Sequence, residues 1–417
     1  MLLLKGGRIL CPLSGTDAPG DVLIEGDRIV EVGVVNAPGD AESIDCTGCF
    51  VAPGFVDLDV TLGDPGQIWR EGLSHGSEIA AAGGFTTIVV NPRTDPVIDL
   101  PAVVSELMPR AASVPGSRVK IAGALTRGLT GEHLSEVGLL VEAGCVLLSD
   151  GGQVMSDTRI LRRVLEYTAP MGVPVVLRPG DVALEEGGFM HEGRISSRIG
   201  LRGIPSAAEE IGVARAIALV RLSGTQVHLS HLTTAKALKM LADAQADGLP
   251  ISATAPARSL LLTDAYIEQS VYDTAARLTP PLRPESDRAA LCTGAAERLC
   301  VGADHVPWSR VEKELEFAYA RSGANGLETA ASAAFTALGK DAKALVLALS
   351  VRPAEVLGQR PMVAAGALAD LVIFDPEASW TVARPWRSRG VCDPLLGHTL
   401  SGQVRATVVG GCPVFEG

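Results

Sequence analysis

The sequence predicts an α/β chain: a (β/α)8 barrel with a small β domain assembled from both termini. Three observations carry this. Eight short apolar runs between residues 55 and 304 alternate with helical stretches, several of which stop at a glycine. Strand-like runs appear at both ends of the chain, each group too small to bury a core alone. Polar residues collect at the C-terminal ends of the central runs, where a barrel places its site.

In the N-terminal part, Leu2-Leu3-Leu4 and Arg8-Ile9-Leu10 read as short strands flanking Gly6-Gly7, and residues 21–33 as a hairpin turning at Gly26-Asp27. Residues 368–374 and 404–411 are strand-like again. The simplest arrangement is one sandwich-like β domain from 1–52 and 360–417, around a barrel domain at 53–359.

The barrel strands are expected at 55–62, 85–90, 118–124, 145–150, 174–178, 225–231, 251–254 and 299–304. Helical stretches ending at Gly83-Gly84, Gly144, Gly172 and Gly224 precede four of them. A barrel domain typically takes about 250 residues, more with insertions. A doubly wound open sheet is the alternative, but no GxGxxG follows the first strand and there is no P-loop.

Composition narrows the function classes. At 47% hydrophobic and 20% charged residues, the chain has enough apolar material for a sizeable core. A net charge of -12 argues against nucleic acid and anionic membrane surfaces as partners. The N-terminal apolar run is too short for a signal peptide, and no uncharged apolar segment would span a bilayer. Eight scattered cysteines fit a reducing cytoplasm, and the CxxC at Cys46 and Cys49 reads as two incidental thiols. Seven histidines are a small stock for a histidine-rich metal site.

The stretch around which the chain is organised is residues 54–66. Asp57, Asp59 and Thr61 are expected on one face of a strand whose other residues are apolar. Burying them is costly without partners. They read either as a hydrogen-bonded buried set or as the rim of an active site.

This stretch resembles the first barrel strand of the dihydroorotases and related cyclic amidohydrolases, whose pattern is Pro-Gly-Phe-Val-Asp-x-His-x-His-x-Arg-x-Pro-Gly. The resemblance covers nearly the whole chain and implies a metal-dependent barrel of the amidohydrolase type. Here Asp59 and Thr61 stand at the two zinc-binding histidine positions, and Gly63 at that of the substrate-carboxylate arginine. In the fourth strand Ser149-Asp150-Gly151 replaces Ser-Asp-Asp, so Gly151 takes the metal-bridging place and Asp150 is the stand-in. In the fifth, Arg178 replaces a ligand histidine. His231 in the sixth and Asp304 in the eighth keep their family identities, Asp304 as ligand and general base.

By the same resemblance, Arg93 stands for a substrate-binding asparagine, Thr279 for another, Arg258 for a histidine, and Trp308 for the last histidine of Ala-Thr-Asp-His-Ala-Pro-His. The expected substrate side is therefore Arg93, Arg178, Arg258, Thr279 and Trp308. The expected metal side, vestigial or reduced, is Asp59, Asp150, His231 and Asp304. His228 and Asp57 are read as packed or hydrogen-bonding residues.

Four of six ligand positions are lost, and a guanidinium at Arg178 opposes a cation nearby. The resemblance therefore implies a non-catalytic dihydroorotase homologue of pyrimidine synthesis, a homo-oligomer that binds no metal and partners aspartate carbamoyltransferase. A second reading is a working cyclic amidohydrolase with a reduced zinc site of Asp59, His231 and Asp304. A third is a small-molecule binding protein in which Arg93, Arg178 and Arg258 form an anion-binding cluster.

Overall fold

The computed structural model describes residues 1–36, 39 and 41–417. The first strands are β1 (Leu2–Cys11), β2 (Thr16–Glu25), β3 (Arg28–Gly33), β4 (Glu42–Asp45) and β5 (Phe50–Pro53). The central part holds β6 (Phe55–Val60), β7 (Phe85–Val90), β8 (Arg118–Ala124), β9 (Leu147–Ser149) and β10 (Val175–Leu177). It continues through a minor pair, β11 (Met190–His191) and β12 (Gly203–Ile204), to β13 (Val227–Leu229), β14 (Ile251–Pro256) and β15 (Cys300–Gly302). The chain ends with β16 (Leu371–Thr381), β17 (Thr399–Val409) and β18 (Cys412–Glu416).

All eight barrel strands form where the apolar runs predict, several of them shorter. They pair in parallel in the order β15-β14-β13-β10-β9-β8-β7-β6. Helices cover the outside, among them Leu73–Ala82, Thr158–Thr168, Ser206–Ser223 and Glu285–Glu297. Gly224 ends the third of these in the left-handed region (φ 69°), where a side chain would be strained. One end of the barrel interior is filled by Val56, Leu58, Val89, Ala122, Leu147, Val176 and Cys300. The opposite, C-terminal strand ends are left to polar residues.

The terminal strands form one continuous mixed sheet, β18-β17-β16-β5-β1-β2-β3, with β4 beside β1. Its core joins both ends of the chain: Leu4, Ile9, Val22 and Ile29 pack with Leu371, Ile373 and Val408. The two short runs around Gly6-Gly7 are a single strand with a bulge, because the pairing register shifts between Leu4 and Gly7 and Gly6 takes φ 73°. All eight cysteines are free, with Cys46 and Cys49 buried.

The first and eighth strands meet through a side chain. Asp57 accepts from the Ala303 amide at 2.6 Å and from the Asp59 amide at 3.0 Å, and Thr61 N donates to His305 O at 3.0 Å. Asp57 is thus spent on backbone amides, as a hydrogen-bonded buried group. The pairing of β6 with β7 slips between Asp57 and Val60, and that irregularity breaks the strand alternation.

Replacing Asp57 by alanine leaves the buried Ala303 amide and the part-buried Asp59 amide unpaired. We expect Asp57→Ala to lower the unfolding free energy by roughly 2–4 kcal/mol, as read from chemical denaturation.

Candidate functional site

Asp59, Thr61, Arg93, Gly151, Arg178, His231, Thr279 and Asp304 line one cleft at the C-terminal strand ends, together with Asn91, Gln153 and Ser322. Its volume is about 740 Å³, part of it open to solvent. Eight positions singled out from the sequence are therefore brought together.

The core of the cleft is a row of three. His231 Nδ1 lies 3.9 Å from Asp59 Oδ2, and His231 Nε2 lies 3.5 Å from Asp304 Oδ1. Asn91 donates from Nδ2 to the other oxygen of Asp59. Both His231 (φ 56°) and Asp304 (φ 49°) hold left-handed backbone, a strained state for such residues and one that concentrates at functional sites. The turn after His231 is pinned by Glu209, whose buried carboxylate accepts from the amides of Thr233 at 3.0 Å and Thr234 at 2.8 Å. Arg283 Nε adds a 3.0 Å bond to Thr233 Oγ1.

The guanidinium of Arg93 is half-buried in the cleft and makes no ion pair within 4.0 Å among the described residues. Burial lowers its pKa, against the opposing pull of Asp59 and Asp304 and with the repulsion of Arg178. Arg178 is committed elsewhere. Its Nη1 and Nη2 hold Glu185 at 3.1 and 2.6 Å, and its Nε donates to Gly152 O at 2.9 Å. The Thr279 hydroxyl accepts from Ser322 Oγ at 2.8 Å across the cleft wall.

Three expected site residues are placed differently. Asp150 is outside the cleft lining, and its two oxygens accept from the amides of Gly152 at 2.9 Å and Arg178 at 2.7 Å. Arg258 is buried behind the eighth strand and donates to Ala303 O at 2.8 Å and Asp304 O at 2.7 Å. It tethers backbone, so Arg93, Arg178 and Arg258 do not make an anion-binding cluster. Trp308 is turned away, with its indole N–H on Ser322 O at 2.8 Å and Arg70 stacked on its ring at 3.8 Å.

His228 is packed, as read from the sequence. It is buried between Ser252 Oγ at 2.8 Å and Thr254 Oγ1 at 2.7 Å, and burial pushes its pKa down to about 3. Asn91, Gln153, Ser322 and Glu209 were missed. Asn91 sits in the quoted Asn-Pro-Arg-Thr run, and Glu209 is a carboxylate on a helix whose inner face is otherwise apolar.

The donor set does not suit a metal ion. Zinc sits about 2.0–2.2 Å from imidazole nitrogen and carboxylate oxygen and takes one nitrogen of a histidine. Here Asp59 and Asp304 approach opposite nitrogens of His231, so at most one of them can share an ion with it. Among the described residues, no three His, Cys, Asp or Glu side chains converge as a metal-holding group. The unpaired Arg93 guanidinium in the same cleft opposes a further cation electrostatically.

A parallel eight-stranded barrel with a terminal β sheet and a cleft at the strand ends defines an amidohydrolase-type barrel. The L-hydantoinase (dihydropyrimidinase) of Arthrobacter aurescens has this fold, with a TM-score of 0.87 at 22% identity over 100% of this chain and 96% of that one. The Dihydro-orotase-like family profile matches residues 48–237. Curated relatives include a dihydroorotase of Anaeromyxobacter dehalogenans, 40% identical over 100% of this chain and 98% of that one. Another, from Geotalea daltonii, is 38% identical over 100% and 99%. The chain belongs to the dihydroorotase-like family.

Burial raises Asp150 from an ordinary 3.8 to about 7, against the amides that stabilise its charge. Between about pH 4 and 7 the folded state then holds a proton that the unfolded chain has released. This site's contribution to stability falls as pH rises through that window and is flat on either side. We expect the stability of the wild type, measured relative to Asp150→Asn, to decline from pH 4 to 7 in parallel denaturation series.

Proposed function

We propose that the chain is a dihydroorotase homologue of pyrimidine synthesis that does not hydrolyse cyclic amides and acts as a non-catalytic subunit alongside aspartate carbamoyltransferase. One observation carries this reading: the two carboxylates that flank His231 address opposite ring nitrogens, while the neighbouring Arg178 is locked onto Glu185. A metal-bound water needs several protein ligands facing one point. The cleft has instead an imidazole between two carboxylates, with the Arg93 guanidinium on the same wall. Self-association and the carbamoyltransferase contact belong to the same proposal, in which surface, not turnover, is the selected property.

A specific observation favours the second reading, an active cyclic amidohydrolase with an unusual site. Left-handed backbone occurs at both His231 and Asp304, the positions the family uses as ligands. Relatives called dihydroorotase at 40% identity add to it.

One assay separates the readings. We expect no ring opening of dihydroorotate by the purified chain, with or without added zinc, and co-purification with aspartate carbamoyltransferase from the same cells. Turnover that disappears in Asp304→Asn would instead establish the hydrolase.

A further inference from the structure

Buried ionic groups around the barrel mouth are mostly consumed by the protein, Glu209 by the amides of Thr233 and Thr234 and Arg258 by the carbonyls of Ala303 and Asp304. The cleft holds the exceptions. Among the described residues neither carboxylate oxygen of Asp304 accepts a hydrogen bond. His231 Nε2 stands 3.5 Å from Oδ1 and Arg258 Nε 4.0 Å from Oδ2, both long for such a bond. Yet the side chain is only 8% exposed. Asp59 spends one oxygen on Asn91, while the other lies 3.9 Å from His231 Nδ1. On the same lining the half-buried guanidinium of Arg93 has donors and, among the described residues, no acceptor. Charged groups withdrawn from water without partners are costly, and a bound molecule supplies what the protein does not.

Asn91 holds the two kinds of group side by side. Its Nδ2 donates to Asp59, and its Oδ1 accepts from the Arg93 amide at 2.9 Å. Arg178, the other guanidinium on the lining, is already held by Glu185 at 2.6 Å. The formal charges of Asp59 and Asp304 are matched by Arg93 in the cleft and Arg258 behind it. A bare anion would answer Arg93 and meet two carboxylates. A bare cation would answer the carboxylates and leave Arg93 without an acceptor. A molecule bearing an ammonium and a carboxylate answers both and leaves the net charge unchanged. Val306 apart, the lining residues are polar or glycine, so the ligand carries no large apolar group.

We propose that the cleft binds a small amino acid as its zwitterion, with the ammonium on Asp304 and the free oxygen of Asp59 and the carboxylate on Arg93. The proposal rests on the non-catalytic reading, in which no metal sits beside His231, and it gives the retained cleft a ligand.

The test is calorimetric titration of the full, chelator-treated chain with glycine, β-alanine and 4-aminobutyrate. Acetate, methylammonium and trimethylglycine, which keeps both charges but has no N–H, are the controls. We expect saturable binding of at least one of the three amino acids, and binding of each control about tenfold weaker or less. Arg93→Gln and Asp304→Asn should each weaken the amino acid about tenfold. Two variants are used so that misfolding of one, seen by circular dichroism, leaves the other to decide. No saturable binding of any of the three, equal affinity for a control, or unchanged affinity in a folded variant would overturn the proposal. Failure of the non-catalytic reading is seen separately, as ring opening of dihydroorotate, and would overturn the proposal with it. Absence of both turnover and amino-acid binding would overturn the proposal alone.

Discussion

The carboxylate of Asp57 is the contact on which the rest of the architecture turns. The ladder of the barrel runs from β15 round to β6, and Asp57 ties these two ends by taking the Ala303 amide at 2.6 Å. That bond fixes the height of Asp304 against Asp59, and hence the row Asp59–His231–Asp304. The bond forms despite desolvation, which raises Asp57 to about 6. A buried carboxylate held by two amides is tolerable because its hydrogen-bonding needs are met.

Around that closure, the strand-end loops are organised by buried ionic groups acting on backbone. Glu209 holds the turn after His231, Arg258 the carbonyls at 303 and 304, and Lys313 the carbonyls of Arg321 at 2.8 Å and Gly323 at 2.9 Å. Each satisfies groups that irregular backbone would otherwise bury unpaired. The mouth of the barrel is therefore rigidly built whether or not chemistry occurs in it.

Much of the fold was legible because it rests on local signals. Apolar runs and glycine stops placed all eight barrel strands, and terminal strands too small for a core implied that the ends meet. The site was less legible because partners, not residue types, decide its chemistry. Arg178 faces Glu185 only once the four-residue helix Val182–Glu185 brings that carboxylate back. Asp150 turns onto amides of Gly152 and Arg178, Asp57 onto those of Asp59 and Ala303, and Arg258 is drawn to carbonyls. Eight of the residues at motif positions gather at one cleft, while the direction of each side chain depends on contacts across the fold.

The central claim is that His231, with Asp59 and Asp304 on its opposite ring nitrogens, forms a polar row and not a metal site. Calorimetric titration of zinc into chelator-treated protein tests it most directly, with His231→Ala alongside. The structure predicts no stoichiometric binding in the wild type. One equivalent of tightly bound zinc, lost in His231→Ala, would contradict it.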